Sequence, residues 1–251
     1  MKLLSRLGSP LLARELIEMS ARRRTYITRV LYGVLFYAAV WIQFSHLFER
    51  IRTQPFALLG HGREIFSYYV WLQFLGILIF MPALTCGAIA YEKERNSLQL
   101  LLLTKLGPWS IILEKLASRL VPMFTCQLLG VPLLALTYSL GGIDSLHMWL
   151  TIWLLFLFSV AVGSLSLACS AYSRTTTGAF ISTYFSMGAI FAVSACTCLP
   201  VLRMGNGMGG QWSEGVFLSI ILIGLSAFLL AIARVSLIAR AFVPPRNLLL
   251  E

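Results

Sequence analysis

The chain is 251 residues long, 58% hydrophobic and only 12% charged. Soluble domains carry about 45–50% apolar and about 25% charged residues, so half the usual charge and a mean hydropathy of +0.82 exclude a soluble globular fold. They also exclude intrinsic disorder, which needs low hydrophobicity and high net charge, and they make residues 1–251 one integral membrane domain.

The net charge of +10 comes from 20 Lys and Arg against 10 Asp and Glu. In a soluble protein such an excess points to nucleic acid. Here basic residues serve to set membrane orientation, and no aromatic-basic stacking surface for a nucleic acid is visible.

The first element is residues 1–29, expected on the cytoplasmic side. Arg6, Arg14, Glu15 and Glu18 interrupt any apolar core. A signal peptide needs an unbroken apolar stretch of about 7–15 residues, so none is expected. Ser9 is a good helix N-cap and Pro10 a good first helical residue. At 100° per residue, Leu12, Ala13, Leu16, Ile17 and Met19 share one face, and Arg14, Glu15, Glu18 and Arg22 the opposite one. A short amphipathic helix over 9–24, ending in Arg22, Arg23 and Arg24, suits a membrane surface. It anchors the chain, and it can also lie as a lever beside a soluble partner.

Six runs carry no Lys, Arg, Asp or Glu: Val30–Phe48, Ile65–Tyr91, Leu120–Ile143, Ser145–Ser173, Thr175–Leu202 and Gly215–Ala233. The shortest has 19 residues, which as a helix is about 28 Å long and close to the hydrocarbon thickness of a bilayer. A barrel would show strands of about ten residues with alternating polarity, and Trp153–Phe158 and Ile220–Leu225 do not alternate. The expected fold class is therefore all-α integral membrane with six transmembrane helices. Pro82, Pro122 and Pro132, with Gly87 and Gly163, fall in spans two to four, where they kink helices or form hinges. Gly163, Ser164, Ser166 and Ala168 form a small-residue stretch on span four, expected to face other helices.

Six spans put 1–29, 92–119, Arg174 and the tail 234–251 on one side. Those segments hold 16 of the 20 basic residues, leaving Arg50, Arg52, Arg63 and Arg203 for the other. The positive-inside rule then puts both termini in the cytoplasm, and Tyr26, Tyr68, Tyr69, Trp109, Trp149 and Trp212 fall near the expected interfaces.

Residues 92–119 are the most informative segment. A simple connection between membrane helices needs only a few residues. This one opens on Glu92, Lys93, Glu94 and Arg95, continues with Asn96 and Ser97 as capping residues and a leucine-rich stretch, and breaks at Gly107-Pro108 before a new helix. Its charges can pair with a soluble partner, and Leu98, Leu101 and Leu102 can pack on the membrane domain or in a partner's cleft.

This layout resembles the permease subunits of type-2 ATP-binding-cassette (ABC) transporters. Those have six spans, an amphipathic N-terminal helix and a cytoplasmic coupling helix between spans two and three. The family's E-x-E-R-G-T-L-E-x-L-L-x-T-P-L-S…G-K stretch is matched by Glu92, Glu94, Arg95, Ser97, Leu98, Leu101, Leu102, Thr104, Leu106 and Lys115. Asn96, Lys105 and Glu114 depart from it, and Pro10 to Tyr26 resembles the family's N-terminal segment. The resemblance implies an exporter subunit that forms a transport path with a second permease, as homodimer or heterodimer. It implies that cytoplasmic ABC ATPase subunits hydrolyse ATP, with Glu92, Lys93, Glu94, Arg95, Ser97, Leu98, Leu101 and Leu102 as the ATPase contact. This chain has no G-x-x-x-x-G-K-[ST] phosphate loop and is expected to be neither an enzyme nor a cofactor binder.

Other readings are weaker. His46, His61 and His147 form no H-E-x-x-H, and no histidine after position 147 serves Ser164 or Ser166 as a base. The five cysteines, Cys86, Cys126, Cys169, Cys196 and Cys198, include no C-x-x-C pair and read as small buried hydrophobes. Cys196 and Cys198 with Met204 and Met208 would suit Cu(I), but such residues are ordinary in apolar segments. No ring of acids or bases lies mid-span, so an ion-selective pore is not indicated, and the same absence favours an amphipathic or lipid-like cargo.

Overall fold

The computed structural model describes residue 17 and residues 23–53, 62–94, 108–141, 144–173, 175–189 and 211–241. Among the described residues there is no strand. The helices are α1 (Arg23–Thr53), α2 (Gly62–Thr85), α3 (Gly87–Glu94), α4 (Pro108–Leu128), α5 (Val131–Ser139), α6 (Ser145–Tyr172), α7 (residues 176–189) and α8 (Gln211–Ala241).

Four helical stretches are long and apolar enough to cross a membrane: Tyr26–Ser45, Gly62–Tyr91, Trp109–Ser139 and Ser145–Tyr172. Side chains are distributed inside out. Trp41 is 76% exposed and Phe185 79%, while Gln73, Ser164, Ser166, Ser170 and Thr183 are fully buried. Water would favour the reverse; in a bilayer the polar groups must find partners inside the protein. The chain is a membrane-embedded helical protein. Of the remaining apolar runs, Thr175–Leu202 is described only as far as residue 189, and Gly215–Ala233 lies within α8.

Helix ends differ from the limits of the charge-free runs. Arg23 and Arg24 belong to α1 and not to a separate surface helix, and α1 continues past Phe48 to Thr53. Helix α4 starts at Pro108, well ahead of Leu120, and carries Glu114, Lys115 and Arg119.

The helices fall into two compact units, Met1–Phe80 with Leu120–Ser159, and Met81–Arg119 with Val160–Glu251. In the first, the polar centre is Gln73. Tyr32 donates its hydroxyl to Gln73 Oε1 at 2.7 Å, and Gln73 Nε2 donates to the Gln127 carbonyl at 3.4 Å. Nearby the chain breaks between α4 and α5. Pro132 brings no N–H to the ladder, and Leu129 and Gly130 tighten to i−3 bonds on Cys126 and Gln127. The Leu129 carbonyl accepts from Tyr37 Oη at 2.7 Å, so side chains replace the lost backbone partners, as lipid requires. Gly130 allows the close approach: a Cβ there would lie 2.4 Å from the Tyr69 ring.

In the second unit the small-residue stretch of α6 faces inward as expected. A Cβ at Gly163 would lie 2.5 Å from Met81 Cε and 3.0 Å from Leu116 Cδ1. The methionine tip can yield to a methyl group; a leucine has no such room. Gly163→Leu should therefore destabilise the protein by about 1–3 kcal/mol, the usual cost of overpacking, with Gly163→Ala well below that. Denaturant unfolding of the purified variants checks this, and equal stability of Gly163→Leu and wild type would contradict it. Helices α6 and α7 also meet through short polar contacts, Cys169 Sγ to Ser186 Oγ at 3.6 Å and Ser173 Oγ to Ser182 Oγ at 3.3 Å, of the kind that holds helices together in lipid.

Candidate functional site

The site lies in the second unit, where α3 ends beside the turn joining α6 to α7. It begins with a break between two helices. Helix α2 stops at Thr85, Cys86 forms a turn, and α3 restarts at Gly87. Thr85 Oγ1 donates back to the Met81 carbonyl at 2.8 Å, a bond that bends helices. The hydroxyl of Ser170, on α6, accepts the backbone N–H groups of Ile89 at 3.2 Å and Ala90 at 3.0 Å. It satisfies donors that a helix start leaves without partners, and a side chain inserted in the ladder is a recognised cause of a kink.

The other face of the break is held from α4. Lys115, 2% exposed, donates its Nζ to the Ala88 carbonyl at 3.1 Å. One residue earlier, Glu114 Oε1 accepts from Ser110 Oγ at 2.8 Å. Burial of an ammonium demands such acceptors.

At the far end of α3, two adjacent charges reach two different helix ends. Lys93 Nζ donates to the carbonyls of Ser170 at 3.3 Å, Ser173 at 3.2 Å and Ala171. These oxygens belong to the last turn of α6 and the residue after it, where carbonyls lack intrahelical donors. Glu94 accepts the Thr176 N–H at 2.8 Å and its hydroxyl at 3.1 Å through Oε1. It thus caps the first turn of α7, together with Thr175, whose Oγ1 accepts the Gly178 N–H at 3.2 Å. A cation at a helix C-terminus and an anion at an N-terminus both match the helix dipoles. The pair Lys93-Glu94 thus holds the end of α6 and the start of α7 together.

The arrangement offers position and not covalent chemistry. Among the described residues no three of His, Cys, Asp and Glu come together as a metal-binding set. Of the residues marked in the sequence as an ATPase contact, Lys93 and Glu94 are described with their side chains, and both bind within the chain. Glu92 is described as helical backbone. Arg95, Ser97, Leu98, Leu101 and Leu102 lie outside the described residues, as do Leu12, Leu16 and Arg22 of the N-terminal segment and the Cys196, Cys198, Met204 and Met208 group. Ile17 is helical and exposed.

Sequence reasoning missed Ser170, Ser173 and Thr176. Threonines 175 and 176 after a long apolar run are an N-cap signal and were open to detection. The role of Ser170 had no local signal, because its partners are 80 and 81 positions away. No protein-family model matches the chain, and no curated protein matches it.

Proposed function

We propose that this chain is the permease subunit of an ATP-driven transporter, an exporter of the type-2 ABC kind. It would have six spans, cytoplasmic termini and a second permease as partner, and be driven by a separate ATPase. The observation that carries the reading is the Lys93-Glu94 clamp. The segment that follows Glu94 is the one whose sequence resembles a coupling helix, and its root is fastened to the ends of α6 and α7. A push delivered to Glu94 reaches the ends of α6 and α7 through direct hydrogen bonds. The excess of basic residues on one side supports cytoplasmic termini, and the charge-free run within α8 supports a further span.

Mechanistically, the chain's contribution is a linked set of rigid parts. Ser170 and Lys115 hold the start of α3 against α6 and α4. Lys93 and Glu94 hold its end. Displacement of α3 therefore changes the α6–α7 turn, and alternating access follows from which arrangement the ATPase favours.

A tagged full-length chain purified from its native membranes should bring down a protein with a phosphate-binding loop. The complex should hydrolyse magnesium ATP, and the tagged chain stripped of its partner should not. Intact purification without any nucleotide hydrolase would overturn the reading.

A further inference from the structure

The first unit contains an open cleft of about 300 Å³ between α1 and α4, lined by Arg29, Val30, Gly33, Thr125, Cys126 and Leu129. Among the described residues its walls are almost wholly apolar apart from Arg29, and none of those that line it is acidic. Arg29 is half-buried, and its Nε is fully enclosed with no hydrogen-bond partner among the described residues. Thr125, which also lines the cleft, donates its hydroxyl to the Pro122 carbonyl at 2.7 Å. Gly33 keeps the cleft open, with its nearest neighbour Leu129 Cδ1 at 3.5 Å from where a Cβ would be.

A guanidinium in an apolar setting is costly unless an acceptor of opposite charge joins it. Arg29 lies in the first turn of the apolar stretch Tyr26–Ser45, within reach of the headgroup level for a long side chain that snorkels. The positive-inside count puts that end at the cytoplasmic leaflet, which is the anionic one. The guanidinium fork matches a phosphate in shape and charge, and Val30 and Leu129 offer an acyl chain an apolar wall. We infer that the cleft is a binding site for one anionic phospholipid, its phosphate on Arg29 and an acyl chain between α1 and α4. The inference rests on the proposed cytoplasmic placement of the N-terminal end, and not on ATP-driven transport, since none of the clamp residues takes part.

The test uses the full chain in nanodiscs containing photoactivatable phosphatidylglycerol or phosphatidylcholine, with labelled residues mapped by mass spectrometry. The anionic probe should label residues 30–33 and 125–129 about fivefold more than the choline probe, the weight of one basic residue at an anionic surface. Arg29→Gln should bring the two probes to parity, Arg29→Lys should keep most of the preference, and Gly33→Leu should reduce labelling by both. Excess inorganic phosphate should not compete, because it lacks the acyl chain. Parity of the probes on the wild-type chain, a preference that survives Arg29→Gln, or loss of labelling to free phosphate would each overturn the site. The wild-type comparison decides even if a variant fails to fold.

Discussion

Replacing Lys93 with methionine should lower the unfolding free energy by about 2 kcal/mol, within the range for hydrogen bonds to charged groups. Methionine keeps the apolar stem and removes the donors. The carbonyls of Ser170, Ala171 and Ser173 then lose a shared cation at the end of α6, and the favourable dipole interaction goes with it. Lys93→Arg should retain most of the stability. Denaturant unfolding in detergent gives the magnitude. Maleimide labelling of Cys169, half-buried on α6 and in contact with Ser186, should rise in Lys93→Met as the α6–α7 turn loosens. Wild-type stability and wild-type labelling in that variant would remove the clamp from the account.

The second large effect concerns Gln73. Gln73→Leu leaves the Tyr32 hydroxyl and the Gln127 carbonyl without their amide partner in a region closed to water. The expected loss is about 1–2 kcal/mol, since an orphaned polar group costs more than its bond contributed, and measured values in membranes are at the lower end. Tyr32→Phe should cost less, because Gln73 keeps its bond to Gln127. The double variant Tyr32→Phe/Gln73→Leu should be more stable than the sum of the two single losses predicts, because one orphan is removed. Strict additivity would show that the pair does not interact.

Much of the architecture could be read from local pattern. Charge-free runs identified the four long apolar helices, because lipid excludes charge from the outer face of a span. The small residues around Gly163 announced close packing for the same reason that a Cβ there has no room. Helix ends were not legible by that criterion. The start of α4 carries Glu114 and Lys115, and a charge turned inward onto Ser110 or the Ala88 carbonyl is tolerated within a helix. Proline content marked one break and not the other, since Pro132 falls where α4 gives way to α5. Pro82 lies inside α2, whereas the break falls at Cys86 and coincides with the Ser170 hydroxyl on Ile89 and Ala90. The cluster Glu92–Arg95 stood out as a run of charge, but its inward partners did not. Lys93 and Glu94 meet groups 77 to 82 positions along the chain, and no window along a sequence spans that distance.

The proposed function requires the segment that begins at Glu92 to receive a cytoplasmic ATPase and to pass its motion to α6 and α7. A photo-crosslinking amino acid placed at Leu101 in cells tests it most directly, with Trp71, 65% exposed on α2, as the lipid-facing control. Leu101 should crosslink to a protein that contains a phosphate-binding loop, with a yield that changes when ADP is trapped with vanadate after hydrolysis, and Trp71 should give no such crosslink. Normal membrane insertion with no such crosslink at Leu101, or the same crosslink at both positions, would contradict it.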